Sequence, residues 1–222
     1  MSFNIAIDGP AGAGKSTIAK TVAKELGFIY VDTGAMYRAI ALFLIRNDID
    51  ASEIDRIEEV LDEINITIEY ENNAQLVMLN GENVNSYIRT EKVGIMTSAV
   101  STHACVRNKL LQLQRQLAET SDVLMDGRDI GTCVLPNADL KIYLTASSRT
   151  RAERRWKELT ERGVECDINQ IEKDIIDRDN QDMNREIAPL KQADDAVLVD
   201  TSNMNIEEVV AHLIALVNEK KA

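Results

Sequence analysis

The sequence predicts an open α/β fold, in which a parallel sheet is covered by helices on both faces. Five short apolar segments indicate this, because they do not alternate with polar residues as half-buried strands do. Amphipathic segments separate them, which is typical of a doubly wound sheet. We expect strands at Phe3–Asp8, Phe28–Val31, Val123–Asp126, Leu140–Leu144 and Ala196–Val199. We expect helices at Met36–Arg46, Val106–Leu117, Thr150–Thr160, Ile168–Asp177 and Ile206–Val217.

The first strand runs into a phosphate-binding loop. Gly9 to Ser16 reads GPAGAGKS, which fits G-x-x-x-x-G-K-[ST], and a helical pattern ending at Gly27 follows it. Backbone N–H groups of such a loop bind an anion, Lys15 reaches the β- and γ-phosphates, and the Ser16 hydroxyl can ligate Mg²⁺. An ordinary glycine-rich turn is the alternative, which the strand–loop–helix context disfavours. The loop residues expected to bind ATP are Gly9, Pro10, Ala11, Gly12, Ala13, Gly14, Lys15, Ser16 and Thr17.

Composition excludes several classes of protein. The 222 residues carry a net charge of −12, which argues against general nucleic-acid binding because that requires a basic surface. No apolar run approaches the ~18 residues that span a bilayer. The three cysteines are widely spaced and give no disulfide or zinc pattern. We therefore expect a cytoplasmic protein without a signal peptide, and any anion site must be built from clustered arginines.

One stretch interrupts the strand–helix order. The segment Ser52–Ile64 predicts an amphipathic helix, and Asn65–Glu71 and Gln75–Leu79 flank Asn72-Asn73 as a small antiparallel hairpin would. We see no flexible linker or internal repeat. The sequence predicts one domain with an inserted substructure.

The second predicted strand ends in the segment Asp32-Thr33-Gly34-Ala35-Met36-Tyr37-Arg38. Arg38, one turn into the next helix, could hold an acceptor phosphate with Thr33 and the helix N-terminus nearby. Alternatively, Asp32 or Thr33 is a simple N-cap and Arg38 is solvated. This segment alone does not decide between the two interpretations.

The third predicted strand ends in Asp126-Gly127-Arg128-Asp129. An aspartate at the end of an apolar strand commonly orients the hydrated Mg²⁺ of a phosphate-loop protein. Arg128 and Asp129 follow where the sheet opens to its ligand, which favours binding over a structural role. Ser16 and Asp126 are the predicted metal residues.

Two arginine clusters lie further along the chain. Arg151, Arg154 and Arg155 share one helix face, which fits either a salt-bridged surface helix or a lid that closes over a triphosphate. Spacing alone favours the surface helix, whereas the phosphate loop favours the lid. In the second cluster Arg178, Asp182 and Arg185 share a face if helical, and a surface helix is again the alternative.

The chain resembles the bacterial cytidylate kinases in six segments that follow one another in the same order. These are GPAGAGKST, DTGAMYR, DGRDIGT, RxxRR, RDxxDxNRE and APL. The resemblance implies a five-stranded parallel sheet, a monophosphate-binding insertion and an arginine lid. It places the core at residues 1–35, 103–147 and 166–222, the insertion at about 36–102, and the lid at about 148–165.

The resemblance also assigns residues. It implies that Arg38, Arg128 and Arg185 hold the acceptor phosphate, that Arg178 and Asp182 contact ribose and phosphates, and that Ser98, Arg107 and Asp129 read cytosine. A carboxylate that accepts from the exocyclic amine and an arginine that donates to the ring acceptors are complementary to cytosine, whereas uracil presents a carbonyl to the carboxylate. Further expected acceptor contacts are Asp32, Thr33 and Tyr37, and further ATP contacts are Arg151 and Arg155. The expected catalytic residues are Lys15, Arg128, Arg154, Arg155 and Arg185.

The function expected from the resemblance is transfer of the γ-phosphoryl group of Mg·ATP to CMP or dCMP by a monomeric enzyme. Two alternatives remain, a kinase that prefers UMP and an ATP-binding regulatory module without turnover. The adenine contacts are poorly marked, and Thr201 to Asn203 is a weak candidate.

Overall fold

The computed structural model describes residues 2–71 and 74–221. Within these residues no helix is both long and apolar enough to cross a membrane. The strands are β1 (Asn4–Asp8), β2 (Ile29–Asp32), β3 (Ile66–Glu71), β4 (Ala74–Leu79), β5 (Glu82–Asn83), β6 (Val123–Asp126), β7 (Leu140–Thr145) and β8 (Val197–Asp200). The α-helices are α1 (Lys15–Leu26), α2 (Thr33–Arg46), α3 (Ile54–Val60), α4 (Glu91–Val100), α5 (Ala104–Thr120), α6 (Ser148–Glu161), α7 (Ile168–Asn184) and α8 (Ile206–Lys221).

The predicted parallel sheet is confirmed, with five strands in the order β2-β6-β1-β7-β8. Strand β1 lies at its centre, so the loop that follows β1 emerges from the middle of the sheet. Asp32 of β2 pairs in register with Asp126 of β6, and Ile7 of β1 also pairs with Asp126. The carboxyl ends of three neighbouring strands therefore bring aspartates to one edge of the sheet.

Apolar cores cover both faces of this sheet. Ile5 and Ile7 belong to the core beneath α1 and α8, whereas Ala6 between them belongs to the core beneath α2 and α5. The neighbouring strand divides in the same way, because Leu124 joins the first core and Met125 the second. Alternate residues of a strand point to opposite faces, so both must be apolar, which explains why these segments do not alternate in polarity.

The predicted hairpin is confirmed as β3 and β4, and β5 adds a third strand to form a small antiparallel sheet. The turn predicted at Asn72-Asn73 lies outside the described residues. The predicted helix Ser52–Ile64 is shorter in the structure and ends in a 3₁₀ turn at Leu61–Glu63. It starts later because the Asp50 carboxylate accepts hydrogen bonds from both the N–H and the hydroxyl of Ser52, at 2.9 and 2.7 Å, in a tight turn.

The small sheet docks on the edge strand β2. The Gln75 side chain accepts from the Asp32 N–H at 2.7 Å and donates to the Asp32 carbonyl at 3.3 Å, and the Tyr70 hydroxyl donates to the Tyr30 carbonyl at 3.2 Å. These side chains satisfy backbone groups that an edge strand leaves unpaired. The insertion thereby fixes the end of β2 next to the loop that follows β1.

Helix α7 extends to Asn184, beyond the predicted end at Asp177. The prediction ended early because the sequence from Arg178 to Arg185 is polar except for Met183 and shows no apolar stripe. Arg178 and Asp182 consequently lie four residues apart on one face of a regular helix, and Arg185 is its C-cap.

The glycines of the loop after β1 have backbone conformations that a side chain would disturb. Gly9 has a φ of 147°, and a Cβ built on it would lie 2.0 Å from the Leu144 carbonyl oxygen of β7. Gly14, the N-cap of α1, has a φ of 87° in the left-handed region. The close approach of Gly9 to β7 fixes the point where the chain leaves the sheet.

Replacing Gly9 with alanine should therefore destabilise the protein by about 3 kcal/mol or more, because the methyl group meets backbone that cannot move independently. The free energy of unfolding from urea denaturation measures this. Gly163→Ala is the matched control, because Gly163 has a φ of 74° but open space around its Cβ position. In Gly163→Ala, backbone strain alone should lower the free energy of unfolding by about 1–2 kcal/mol. Equal losses of unfolding free energy in the two variants would contradict the steric argument.

Candidate active site

A cleft of about 1150 Å³ lies at the carboxyl ends of the strands. Its walls contain every predicted site residue except Gly9 and Pro10, which lie just before its floor. Helices α1, α2, α4, α5, α6 and α7 all contribute lining residues. The lining residues with acidic or basic side chains are Lys15, Asp32, Arg38, Arg89, Arg107, Asp126, Arg128, Asp129, Arg151, Arg154, Arg155, Glu158, Arg178, Asp182, Arg185 and Glu207.

One end of the cleft is the loop that precedes α1. Because Gly14 is the N-cap, it contributes no capping side chain to the first N–H groups of α1, and the first turn carries no acidic residue. Lys15 is only 6% exposed and its Nζ donates to the Pro10 carbonyl at 2.7 Å. Burial, and to a lesser extent the nearby Arg128, lowers the pKa of Lys15 well below its usual value. A bound anion would restore the charged ammonium, so this end suits phosphate.

The Asp126 carboxylate joins the loop to the sheet. Its Oδ2 accepts from the Ser16 hydroxyl at 2.8 Å and its Oδ1 accepts from the Tyr30 hydroxyl at 2.9 Å. Burial raises the pKa of Asp126 to about 6, and the nearby Asp32 contributes in the same direction. The two predicted metal residues are therefore in direct contact, on the floor of the cleft.

The segment after β2 combines capping with cleft residues. Asp32 caps α2 by accepting from the Ala35 N–H at 2.9 Å, and it also accepts from Arg89 Nη2 at 2.6 Å. Thr33 donates its hydroxyl to the Asp126 carbonyl at 2.7 Å. The structure thus supports the capping interpretation for Asp32, and whether Asp32 and Thr33 also contact a ligand stays a prediction.

Arg38, in contrast, lines the cleft as a half-buried cation. Its Nη1 donates to the Ile88 carbonyl at 2.9 Å, which fixes the guanidinium beside α4. Burial lowers the pKa of Arg38, and Arg89 and Arg178 lower it further. The charges of Arg89 and Arg178 therefore both act unfavourably on the Arg38 guanidinium, and a bound anion would offset this repulsion.

On the cleft wall formed after β6, Asp129 lies between two arginines. Its carboxylate forms an ion pair with Arg107 and accepts from Arg185 Nη2 at 3.4 Å. Burial raises the pKa of Asp129, while the two arginines act in the opposite direction. Tyr37 packs its ring against Arg107, with 5.8 Å between the guanidinium carbon and the ring centroid. Ser98 reaches the same part of the cleft from α4.

Helix α7 and its C-cap contribute Arg178, Asp182 and Arg185 to the cleft wall. Asp182 Oδ2 accepts from Arg128 Nε at 2.9 Å. Burial lowers the pKa of Arg178, whose Nε is buried without a partner among the described residues. The Arg185 Nε donates to the Ala188 carbonyl at 2.6 Å. The structure thus brings the predicted acceptor residues to one cleft from five separate segments of the chain: the start of α2, α4, α5, the turn after β6, and α7 with its C-cap.

The three predicted lid arginines have three different environments. Arg151 is 5% exposed and is bonded entirely within the protein. Arg154 donates to the Thr201 carbonyl at 2.7 Å, and Arg155 is exposed and pairs with Glu158 at 2.7 Å. Of the weak adenine candidates, only Thr201 lines the cleft, and the wall continues at Met204 to Glu207.

Sequence reasoning missed Asp8 and Arg89. The Asp8 carboxylate is buried and accepts from the N–H groups of Ile130 and Gly131, both at 2.7 Å, so it holds the turn that follows Asp129. The signal was available, because Asp8 ends an apolar strand as Asp126 does. Arg89 lines the cleft from the loop before α4, where no local pattern marks it.

The fold and the cleft define an α/β protein with a phosphate-binding loop at the centre of its sheet. Solved structures agree on the fold. An uncharacterised protein from Eubacterium ventriosum superimposes with a TM-score of 0.53 at 11% identity, covering 98% of this chain and 99% of that one. Shikimate kinase from Bacteroides thetaiotaomicron gives a TM-score of 0.50 at 15% identity, covering 97% and 98%.

Sequence comparisons identify the family. The cytidylate kinase family model matches residues 5–219. The cytidylate kinase of Caldicellulosiruptor saccharolyticus is 52% identical over 96% of this chain and 95% of its own length. That of Thermosipho melanesiensis is 46% identical over 99% of each chain. The chain belongs to the cytidylate kinase family.

The buried Asp8 gives a pH prediction. Burial is the main cause that raises its folded-state pKa from 3.8 to about 6. A raised pKa means that the contribution of Asp8 to stability is fully present below pH 3.8 and is lost as the pH rises through 6. The free energy of unfolding of the wild type, relative to that of Asp8→Asn, should therefore fall by on the order of 2 kcal/mol between pH 4 and pH 7. Urea denaturation across that pH range measures this difference. If the free energies of unfolding of the two proteins changed with pH in parallel, the raised pKa of Asp8 would be contradicted.

Proposed function

We propose that this protein transfers the γ-phosphoryl group of ATP to CMP or dCMP, giving ADP and CDP or dCDP. The observation that carries the proposal is the pairing of Asp129 with Arg107 on the wall of the same cleft that the phosphate loop lines. The pair offers a carboxylate and a guanidinium to a flat polar ligand, while the loop offers backbone N–H groups to a triphosphate. The names of the relatives agree with this substrate pair.

The reaction requires positioning more than acid–base chemistry. The acceptor is a phosphate anion that needs no general base, so catalysis follows from in-line placement and from neutralisation of charge. Lys15 would hold the β- and γ-phosphate oxygens. Arg128 lies close enough to Lys15 to lower its pKa, which supports a role for Arg128 between donor and acceptor.

The oxygens of Ser16 and Asp126 fit Mg²⁺. Both are hard ligands, they are 2.8 Å apart, and they lie next to the loop that would hold the triphosphate. Among residues 2–71 and 74–221 no group of three or more acidic, histidine or cysteine side chains could hold a metal. Mg²⁺ commonly binds through one or two protein oxygens plus phosphates and water. When bound it would neutralise phosphate charge, and Tyr30 would keep the Asp126 carboxylate oriented.

The acceptor phosphate would lie among Arg38, Arg128 and Arg185. Their guanidinium groups offset the repulsion between two polyanions that must approach each other. Arg178 and Asp182, four residues apart on α7, would contact the ribose and the phosphates. The Arg178 Nε is buried and has no hydrogen-bond partner among the described residues. Buried donors are commonly hydrogen-bonded, which supports a ligand contact at Arg178.

Asp129, Arg107 and Ser98 would read the base. The Asp129 carboxylate would accept from the exocyclic amine of cytosine, and Arg107 would donate to the ring acceptors. Uracil has a carbonyl in place of the amine, so its binding would leave two acceptors facing each other. This contrast favours CMP over UMP.

The lid role would belong to Arg154 and Arg155. Arg155 is exposed and its partner Glu158 is on the same helix, so it can turn toward a triphosphate without breaking a buried contact. We propose the division inferred above, with a core of residues 1–35, 103–147 and 166–222, a monophosphate-binding insertion at about 36–102, and a lid at about 148–165. We further propose that the enzyme acts as a cytoplasmic monomer.

A coupled assay of ADP release tests the proposal, with Mg·ATP and a panel of CMP, dCMP, UMP, AMP and dTMP. We expect fast turnover with CMP and dCMP only, because the Asp129 carboxylate accepts an amine at that position. Turnover with UMP alone would retain the phosphate chemistry and reject the base assignment. ATP binding without turnover of any acceptor would indicate a regulatory module.

Lys15→Ala is the control variant for that assay. It should reduce kcat by on the order of 10³-fold or more, because a charge at the transferring group is lost, while CMP binding measured by calorimetry stays close to the wild-type value. Lys24→Ala on the last turn of the same helix is the matched substitution and should leave kcat unchanged. Near-normal turnover in Lys15→Ala would refute the assignment of the loop.

Asp129→Asn tests the base-reading role. The amide places a donor where the carboxylate accepted, so the ratio of kcat/KM for CMP to that for UMP should fall by on the order of 10- to 100-fold. Because Asp129 also pairs with Arg107 and Arg185, the melting temperature must be measured alongside. An unchanged ratio in a folded variant would remove Asp129 from base recognition.

A further inference from the structure

Arg151 connects three separate elements below the cleft. Its Nε donates to the Ala146 carbonyl after β7 at 2.9 Å, and its Nη1 donates to the Ala11 carbonyl of the phosphate loop at 3.0 Å. Its Nη2 donates to Asp179 Oδ2 on α7 at 2.6 Å. The phosphate loop also passes close to this side chain. A Cβ built on Gly12 would lie 3.6 Å from Arg151 Cβ. The planar guanidinium thus holds the phosphate loop and α7 in one fixed relation.

Asp179 has no partner other than this arginine among the described side chains. It is 8% exposed, and its Oδ1 is buried without a hydrogen-bond partner. A buried ion pair gains little net stability, because desolvation offsets the attraction, and a half-satisfied carboxylate gains still less. The pair is therefore a poor means of stabilisation, and what distinguishes it is the set of elements that it joins.

Helix α7 carries the acceptor side of the cleft. Arg178 precedes Asp179 directly, Asp182 lies one turn further on and bonds Arg128, and Arg185 caps the helix and bonds Asp129. The Arg151–Asp179 pair is therefore the direct polar connection between the loop that would bind ATP and the helix that would bind CMP.

We propose that Asp179, acting through Arg151, is a positioning residue that couples the two substrate sites, so that a bound triphosphate tightens CMP binding. The inference rests on the proposed function. Phosphates on the loop order the Ala11 carbonyl, which orders the Arg151 guanidinium and through it α7. CMP then binds to a helix that is already ordered, so CMP binding no longer includes the entropic cost of ordering α7. Linkage requires that CMP tighten the binding of the triphosphate by the same factor.

Calorimetric titration of CMP, with and without saturating Mg·β,γ-imido-ATP, measures the coupling. In wild type we expect CMP to bind about 5-fold or more tightly in the presence of the analogue. Asp179→Asn should bring this ratio close to one. Asp177→Asn is the matched control, because Asp177 is on the same helix and pairs with Lys173 at 2.9 Å on the exposed surface. It should keep the wild-type ratio.

Two further measurements keep the inference open to refutation if Asp179→Asn does not fold. The double variant Arg151→Met/Asp179→Leu replaces the pair with apolar side chains of similar volume, which is often tolerated, and its ratio should also fall to one. Hydrogen exchange on wild type needs no variant, and the analogue should slow exchange in residues 178–184 without CMP present.

A ratio of one in wild type, a wild-type ratio in the folded variants, or no protection of α7 would each overturn the inference. Because the acceptor panel uses wild type alone, its result separates the two levels of the argument. Absence of CMP turnover there would reject the proposed function, whereas turnover with uncoupled binding would reject only the role of Asp179.

Discussion

Guanidinium groups that lie close together repel each other, and this cleft is lined by nine of the 14 arginines of a chain whose net charge is −12. Carboxylates on the cleft wall make the arrangement possible. Asp129 holds Arg107 and Arg185, and Asp182 holds Arg128. Each pair fixes the direction of a long flexible side chain before any ligand is present. An anionic substrate therefore meets donors that are already oriented, and less side-chain entropy is lost on binding.

The sheet topology delivers those carboxylates. Asp126 ends β6 in register with the end of β2, and Asp8 ends β1 between β6 and β7. Asp8 then accepts from the N–H groups of Ile130 and Gly131, at 2.7 Å, and so fixes the turn that follows Asp129. The central strand thereby supports two parts of the cleft wall, because the phosphate loop also begins there. This arrangement explains why an ionised group is retained at a site where burial raises its pKa to about 6.

Local patterns in the sequence were sufficient for some of these features and not for others. The five strands and the phosphate loop were predictable because each rests on contiguous residues: an unalternating apolar run in Phe3–Asp8, or the loop motif from Gly9. Helix α7 was predicted too short because its last turns are stabilised by contacts with the cleft and not by an apolar face. Arg89 could not be found, since its position depends on Asp32, which is distant in sequence. The resemblance to a known family supplied Ser98 and Arg107, which composition and periodicity do not mark.

The arginines of α6 show the limit of periodicity most clearly. Spacing places Arg151, Arg154 and Arg155 on one helix face, which led to one shared expectation for all three. The structure separates them, because α6 packs against α7 and only Arg151 faces that contact. A buried arginine with its donors satisfied by protein would have to break three hydrogen bonds to close over a triphosphate, whereas Arg155 would break one exposed pair. Side chains that share one helix face can therefore have different roles: Arg151 holds the phosphate loop to α7, Arg154 is bonded to Thr201, and Arg155 is exposed.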